Sequence, residues 1–300
     1  MNLTEGLSQN KTVVDYLLGQ VVSEPISKVR PVENARTSYV YEVNDHLIVK
    51  FPSQRTDVSG WVLQSENAPA LKKMLSFRIP EPSLKEVALT STSPSGMLSL
   101  CYEKIPGRVI PRREFGPLST DFKKHFFEQL SDVVMQLQSI DPNKLPSPPL
   151  PTEDMVRKML PIKQNNKIFN GLLNSFLYFP VLGFDHAPKR VLSHLDLHSG
   201  NVCLDEKDNI VGILDFDTLS QGVPFGEFRP MLFRDQEDIQ LFRQTYERKS
   251  GRKISDKDLQ WMEVMFKVIR TSSAVARIRK ISSFKKRANL SVSSRDRELF

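Results

Sequence analysis

The sequence predicts an α+β protein with two lobes, a small N-terminal lobe built on an antiparallel sheet and a larger, mostly helical C-terminal lobe. Three observations predict this class. Five strand-like runs lie before residue 106, an Ile-Pro-Gly break stands at 105–107, and helical patterns dominate the rest of the chain. Strands grouped before helices are typical of an α+β architecture. We therefore expect lobes at 1–105 and 106–300.

The N-terminal lobe is predicted from short apolar runs separated by turn signals. Residues 10–22 have the spacing of a short amphipathic helix, and residues 57–76 have that of a second helix, which Pro69 interrupts. The pair Asn44-Asp45 predicts a tight turn between two strands. The five predicted strands are 26–32, 38–44, 46–52, 83–89 and 97–105.

The C-terminal lobe is predicted to begin with a helix over 119–140, capped by Ser119 or Thr120. A proline-rich loop over 141–151 follows it. A compact block of strands and turns is expected over 190–217. The other predicted helical stretches are 152–178 and 235–290, the latter broken at 251–255.

Composition restricts the class of protein. Hydrophobic residues make up 39% of the 300 residues and charged residues 26%, which is ordinary for a soluble globular protein. No apolar run reaches the roughly 18 residues that span a bilayer, and no signal peptide is recognisable. The two cysteines stand in apolar, strand-like runs, so a disulfide framework is not expected. These features favour the cytoplasm.

The net charge of +7 is concentrated at the C-terminal end. Residues 271–300 hold eight basic and two acidic side chains and so carry +6, which leaves the rest of the chain close to neutral. A nucleic-acid partner is therefore not expected. The basic segment is a candidate contact for an anionic partner, and its alternative interpretation is a solvated helix face.

The segment that carries chemistry contains His194-x-Asp196-x-x-x-x-Asn201, followed by Asp215-Phe216-Asp217 after a predicted hairpin. Phosphoryl transfer to a hydroxyl needs a carboxylate that orients the nucleophile and oxygen ligands for Mg²⁺. The spacing from Asp196 to Asn201 is that of a kinase catalytic loop. A hairpin over 202–214 would return Asp215 to the side of Asn201.

The nucleotide phosphates require a lysine from the small lobe, held by a glutamate on a helix. Lys50 ends the apolar run LIVK on the predicted third strand, and Glu66 lies sixteen residues later in the following helix. We therefore expect these two side chains to form an ion pair.

With these residues in place, the chain resembles the aminoglycoside phosphotransferase/choline kinase superfamily, a branch of the protein-kinase-like fold. The family's H-G-D-x-H-x-x-N loop stands here as HLDLHSGN at 194–201, and its I-D-F metal motif stands as LDF at 214–216. The similarity extends to CYEKIPGR at 101–108 and to the strands within 38–52, and it loosely covers residues 10–250.

This resemblance implies a small-molecule kinase that moves the γ-phosphoryl group of Mg²⁺-bound ATP or GTP to a hydroxyl. Residues 1–105 would bind the nucleotide, and residues 106–300 would supply catalysis and substrate binding. Asp196 would be the catalytic base or the hydroxyl-orienting residue. The implied magnesium ligands are Asn201 and Asp215, reinforced by Asp217.

The resemblance also implies a nucleotide site on the small lobe. Lys50 would contact the α and β phosphates, with Glu66 holding it. The hinge backbone at Glu103 and Ile105 would face the adenine. The amides of a loop that ends at Ser38 would cradle a phosphate.

Two departures from the family pattern leave alternatives open. Leu195 replaces the usual glycine of the loop, and residues 33–38 contain no glycine. Both features are compatible with a weakly active or inactive kinase-like nucleotide-binding protein that acts through partners. A second alternative is a metal-dependent hydrolase, because His194, Asp196 and His198 alternate as zinc ligands on a strand can.

The charge of the expected substrate region bears on the acceptor. Residues 152–189 hold three acids and five bases, and residues 221–270 hold eight acids and ten bases. A pocket for a polycationic aminoglycoside should be rich in carboxylates. This composition favours a neutral or anionic hydroxyl compound, such as a sugar derivative or a metabolite.

Overall fold

The computed structural model describes residues 11–32, 38–53, 56–88, 96–151, 190–228 and 235–260. It confirms the predicted α+β class, with a sheet-based N-terminal part followed by helices. All five strands of the large sheet pair antiparallel, in the order β1-β2-β3-β5-β4. Their bounds are Val29–Pro31 (β1), Ser38–Val43 (β2), Leu47–Pro52 (β3), Ser83–Ala88 (β4) and Gly96–Glu103 (β5).

The turn between β2 and β3 forms where it was predicted. Asn44 and Asp45 both adopt positive φ, at 52° and 64°, as a two-residue hairpin turn requires. The Asn44 side chain also accepts hydrogen bonds from the backbone N–H groups of Ser27 and Lys28. The turn sets the register that pairs Val43 with Leu47 and, further along, Val40 with Lys50.

Helices cover both faces of this sheet. Helix α1 (Lys11–Val21) buries an apolar stripe against one face, since its apolar residues recur every three or four positions. Helix α2 (Val58–Met74) begins after Asp57, whose side chain accepts from the Ser59 N–H, and continues through Pro69. The side chain of Trp61 lies between α2 and the other face, in a cluster with Leu100 and Tyr102.

The C-terminal lobe is organised by two long helices. Helix α3 (Arg112–Phe115) is a single turn, and α4 (Thr120–Ser139) begins at the predicted cap, where the Ser119 hydroxyl accepts from the Phe122 N–H. Helix α5 (Gln236–Ser250) ends at Gly251, which has φ 72°. The rings of Phe127 on α4 and Phe242 on α5 stack with centroids 5.4 Å apart. The helix predicted over 152–178 lies outside the described residues.

Four short strands carry the loop that holds the motifs. Strand β6 (Val191–Ser193) pairs with β9 (Ser220–Gly222), and β7 (Val202–Leu204) pairs with β8 (Ile210–Ile213). The second pair is the predicted hairpin, with Asp208 at φ 64° in its turn. After the hairpin, the Leu214 N–H donates to the Asn201 carbonyl at 2.8 Å, so Asp215 emerges beside Asn201.

The connection between the lobes runs close to the β7–β8 hairpin. Arg108 exchanges two backbone hydrogen bonds with Leu204, at 2.9 and 2.8 Å. Gly107 has φ 127°, and a Cβ there would lie 2.6 Å from the Leu204 carbonyl oxygen, so only glycine fits. The lobe boundary between 105 and 106 stays a prediction. Among the described helices, none combines the length and the apolar character needed to cross a membrane.

Candidate active site

The loop that follows β6 is anchored by a buried histidine. His194 is fully buried, its Nε2 lies 2.9 Å from the Leu214 carbonyl oxygen, and its Nδ1 accepts from the Asp196 N–H at 3.2 Å. Its ring packs edge-on against Phe216, with centroids 4.7 Å apart. His194 therefore joins the loop to the segment that carries the second motif.

Asp196 and Asn201 face each other across the loop. The Asn201 Nδ2 donates to the Asp196 carbonyl at 2.9 Å and to its carboxylate at 3.2 Å. His198 Nε2 lies 3.6 Å from the same carboxylate, while its Nδ1 accepts from the Gly200 N–H. Burial lowers the pKa of His198, which the Asp196 charge partly opposes. The Asp196 side chain is 35% exposed and so remains reachable by a ligand.

An ion pair crosses from the sheet of the small lobe to the second motif. The Lys50 ammonium on β3 lies 2.8 Å from Asp215 Oδ1 and 5.9 Å from the centroid of the Tyr102 ring. Burial alone would lower the pKa of Lys50, but the charges of Tyr102, Asp215 and Asp217 and the hydrogen bond to Asp215 together raise it. Burial likewise favours a higher pKa for Asp215, but Lys50 lowers it below the ordinary value. Both groups are therefore charged.

Two carboxylates follow each other closely in the second motif. Asp215 has a left-handed backbone, with φ 65°, and begins a short 3₁₀ turn over Phe216–Thr218. Burial and the charge of Asp215 raise the pKa of Asp217 to about 8, against the opposing charge of Lys50. Such a pair of carboxylates is a site that a divalent cation would neutralise.

The residues present fit a magnesium ion. Because the Asn201 NH₂ group is engaged by Asp196, its amide oxygen is the atom left for a cation. Together with Asp215 and Asp217 it offers oxygen ligands only, as Mg²⁺ prefers, and Mg²⁺ usually keeps waters and substrate phosphates as its remaining ligands. This set has only two carboxylates beside the amide, and in the ranges that the structure describes no three or more His, Cys, Asp or Glu side chains form a metal site by themselves.

The expected pairing of Lys50 with Glu66 is not what the structure shows. Glu66 is exposed on α2, and among the described side chains the ion pair of Lys50 is with Asp215. The rotation of α2 about its axis explains this, because the helix turns Trp61, Gln64, Asn67, Ala68 and Leu71 inward. Glu66 then faces outward.

The structure also disfavours the zinc alternative. Both ring nitrogens of His194 are already engaged by backbone groups and so are not available as zinc ligands.

The remaining predicted residues lie at the two ends of β3, since Ser38 pairs with Pro52 at its end and Glu103 pairs with Leu47 at its start. Ser38 is the first residue of β2 and pairs with Pro52, two positions beyond Lys50 on β3; the loop before it lies outside the described residues. Glu103 ends β5 and is exposed. Ile105 is buried, and its side chain packs against Gly212 of β8. Their roles in nucleotide binding stay predictions.

Sequence reasoning missed Glu227. This side chain is 1% exposed, and its carboxylate accepts from the His194 N–H at 2.5 Å and from the Leu195 N–H at 3.2 Å. It thereby orients the backbone just before Asp196. Glu227 is the one acid between 218 and 234, in a run of mostly apolar residues, and that isolation was the available signal.

Glu227→Ala is expected to lower the free energy of unfolding by about 3 kcal/mol, because it leaves two buried N–H groups without an acceptor. Glu227→Gln keeps one acceptor oxygen and should lose less. Urea unfolding measures both variants. The exposed Glu237 provides the control, since Glu237→Ala should stay within about 0.5 kcal/mol of the parent. Equal losses at both sites would contradict the anchoring role.

Leu195, which stands in place of the family's glycine, adopts φ 63° and is 1% exposed. A left-handed backbone costs a bulky residue about 1–2 kcal/mol, whereas removing a buried leucine side chain costs about 2–5 kcal/mol. Leu195→Gly should therefore destabilise the protein, but by about 1–2 kcal/mol less than Leu197→Gly. Leu197 is equally buried without a positive φ. Thermal or urea unfolding measures the stability of both variants. Equal losses of unfolding free energy would show that the backbone at Leu195 carries no strain.

The fold and the site define a two-lobed, kinase-like phosphotransferase. A protein-family model described as "Phosphotransferase enzyme family" matches residues 28–263, and the chain belongs to that family. The predicted superfamily and the predicted class of enzyme, a small-molecule kinase, are thereby confirmed. No curated protein matches the chain.

Solved structures share the fold at low sequence identity. The GDP and kanamycin complex of APH(2")-IIia gives a TM-score of 0.67 at 15% identity, over 93% of this chain and 96% of that chain. The macrolide 2'-phosphotransferase MphH from Brachybacterium faecium, an apoenzyme, gives 0.56 at 14% identity, over 92% and 96%. The streptomycin–ATP ternary complex of APH(2")-IIa gives 0.55 at 17% identity, over 81% and 83%. These likenesses show the fold.

Proposed function

We propose that this protein transfers the γ-phosphoryl group of Mg²⁺-bound ATP or GTP to a hydroxyl of a small molecule, in the cytoplasm. The observation that carries the proposal is the ion pair between Lys50 of the small lobe and Asp215 of the second motif, at 2.8 Å. It brings a phosphate-binding cation to the same place as the carboxylate that would hold the metal.

The positions of the side chains support the following proposed roles. Asp196 accepts a hydrogen bond from the acceptor hydroxyl and orients its oxygen toward the phosphorus, while Asn201 fixes the Asp196 carboxylate. Asn201 and Asp215 would hold Mg²⁺, reinforced by Asp217. Bound Mg²⁺ would supply positive charge to the phosphate oxygens during transfer. Lys50 would contact the α and β phosphates.

The donor is proposed as ATP or GTP. Related structures were solved with GDP, ADP and ATP, so both bases remain in the proposal. The backbone at Glu103 and Ile105 would face the base. The loop ending at Ser38 would lie over the phosphates.

The acceptor is proposed as a neutral or anionic hydroxyl compound. The structural relatives bear the names of aminoglycoside and macrolide phosphotransferases. The chain departs from the expectation for a polycationic acceptor, because bases outnumber acids in 152–189 and in 221–270.

A coupled assay of ADP or GDP release tests the proposal. Wild-type protein with Mg²⁺ and each nucleotide is screened against sugars, hydroxylated metabolites, aminoglycosides and macrolides, with reactions lacking acceptor as the background. The proposal expects acceptor-dependent release for at least one compound, and transfer confirmed by mass spectrometry of the product. Tight nucleotide binding with no transfer to any acceptor would overturn it.

A kinase-like protein with weak or no activity, acting through partners, is the second candidate. Two observations favour it. Leu195 holds a left-handed backbone next to Asp196, and Glu66 makes no ion pair with Lys50 within the described residues. The same assay separates the two candidate functions, because only a protein of the second kind should bind nucleotide without transferring its phosphoryl group to an acceptor.

A further inference from the structure

The first turn of α2 lies directly on the backbone of the second motif, and the point of contact is Gly60. This residue is buried, and a Cβ placed on it would overlap the carbonyl oxygen of Asp217 and lie 3.0 Å from the Asp217 Cβ. A real side chain there would have to move α2 or the Asp217 backbone, since neither obstacle is the end of a flexible side chain.

A glycine is otherwise a poor choice at this place. Glycine weakens a helix relative to alanine, and Gly60 lies within the first turn of α2, where Asp57 caps the helix. Gly19 of α1 shows the contrast, because a Cβ there would meet nothing within 4 Å. The close approach of α2 to Asp217 explains why residue 60 is glycine, whereas no such contact constrains residue 19.

The backbone that Gly60 touches is tied to the rest of the site. Asp217 lies in the 3₁₀ turn between Phe216, whose ring packs on His194, and Thr218, whose hydroxyl donates to the His194 carbonyl at 2.7 Å. The turn closes through the Leu219 N–H, which donates to the Phe216 carbonyl at 3.2 Å. A displacement at Asp217 therefore reaches the loop that carries Asp196 as well as Asp215 itself.

We propose that Gly60 is a positioning residue for the metal motif. Its missing side chain lets the first turn of α2 seat against Asp217, and this contact, rather than a lysine–glutamate pair, holds α2 in register with Asp215 and Asp217. The description of these two carboxylates as metal ligands rests on the proposed function. The positional contact does not, because it involves only the folded chain.

Hydrogen exchange of the free protein tests the contact without any ligand. Gly60→Ala should speed exchange of the amides in 216–219 by about tenfold, because the turn can no longer close against α2. Gly19→Ala is the matched control and should leave that peptide unchanged. Wild-type exchange in 216–219 for a folded Gly60→Ala protein would overturn the proposal.

A second set of variants covers a Gly60→Ala protein that fails to fold. Asp57→Ala removes the cap of α2, whereas Asp57→Asn keeps a good capping side chain. The amides in 216–219 should exchange faster in Asp57→Ala than in wild type, and at close to the wild-type rate in Asp57→Asn. Ser119→Ala removes the equivalent cap of α4 and should leave 216–219 unchanged. An Asp57→Ala protein whose amides in 216–219 exchange at the wild-type rate, as those of Ser119→Ala should, would overturn the proposal.

Calorimetric binding separates this inference from the proposed function. Nucleotide affinity is measured with Mg²⁺ and with EDTA. Gly60→Ala should lower the nucleotide affinity about tenfold in Mg²⁺ only, because Asp215 and Asp217 would contact the nucleotide through the metal. Equal loss in both buffers would overturn the positioning role. A wild-type protein that binds no nucleotide would instead overturn the proposed function, while the exchange result still decides the contact.

Discussion

Asp196→Asn is expected to lower kcat/KM for phosphoryl transfer by a factor of about 10²–10⁴, the range for losing a positioned general base. Asparagine has nearly the same shape and can still accept from Asn201 through its amide oxygen. It lacks the negative charge that attracts the hydroxyl proton. Steady-state kinetics with the acceptor identified by the release assay measure the effect.

The loss should appear in the chemical step and not in nucleotide binding. The nucleotide Kd of Asp196→Asn is expected to stay within about twofold of wild type, because Lys50 and Asp215 are untouched. Asp121→Asn is the matched control, since the side chain of Asp121 is 97% exposed at the start of α4. An Asp196→Asn enzyme with wild-type kcat/KM would remove Asp196 from the mechanism.

The second large effect on kcat/KM is expected at Lys50, and it should be much larger than the effect at Glu66. Lys50→Met should lower kcat/KM by a factor of about 10²–10³, because a preorganised charge on the transferring phosphates is lost. Glu66→Gln should stay within about threefold of wild type, because surface changes away from a site have small effects. Both variants are assayed with the same acceptor and nucleotide.

This comparison tests the geometry found here against the pairing expected from the sequence. If Glu66 held Lys50, both variants would lose activity by similar factors. The observed ion pair of Lys50 is with Asp215, and Glu66 is exposed. A Glu66→Gln loss as large as that of Lys50→Met would show that α2 rotates to bring Glu66 inward when nucleotide binds.

Much of the fold could be predicted from local patterns. The β2–β3 turn at Asn44-Asp45, the Ser119 cap and the β7–β8 hairpin all lie where short-range signals put them. Each depends on contacts within one turn or one hairpin, so a short stretch of sequence is enough to predict it. Within the described residues, the bounds of the predicted elements differ from expectation by only a few residues. Strand β9 and the single turn α3 were not predicted.

The position of α2 shows what local patterns leave out. A helical spacing over 57–76 predicted the helix but not its rotation. The structure turns Trp61 toward Leu100 and Tyr102 and places Gly60 on Asp217, which leaves Glu66 outside. That choice depends on the shape of two surfaces that are distant in the sequence, and a helix with mixed polar and apolar residues on several faces does not reveal it.

The sequence by itself determined the loop that carries Asp196, because the contact of Asp196 with Asn201 spans five residues and the hairpin after Asn201 returns the chain to Asp215. Only the tertiary structure decided the partner of Lys50, which lies 165 residues away, and the anchor of the loop at Glu227. The physical reason is chain separation. Spacing fixes contacts within a turn or a hairpin, whereas contacts between lobes depend on how whole surfaces pack together.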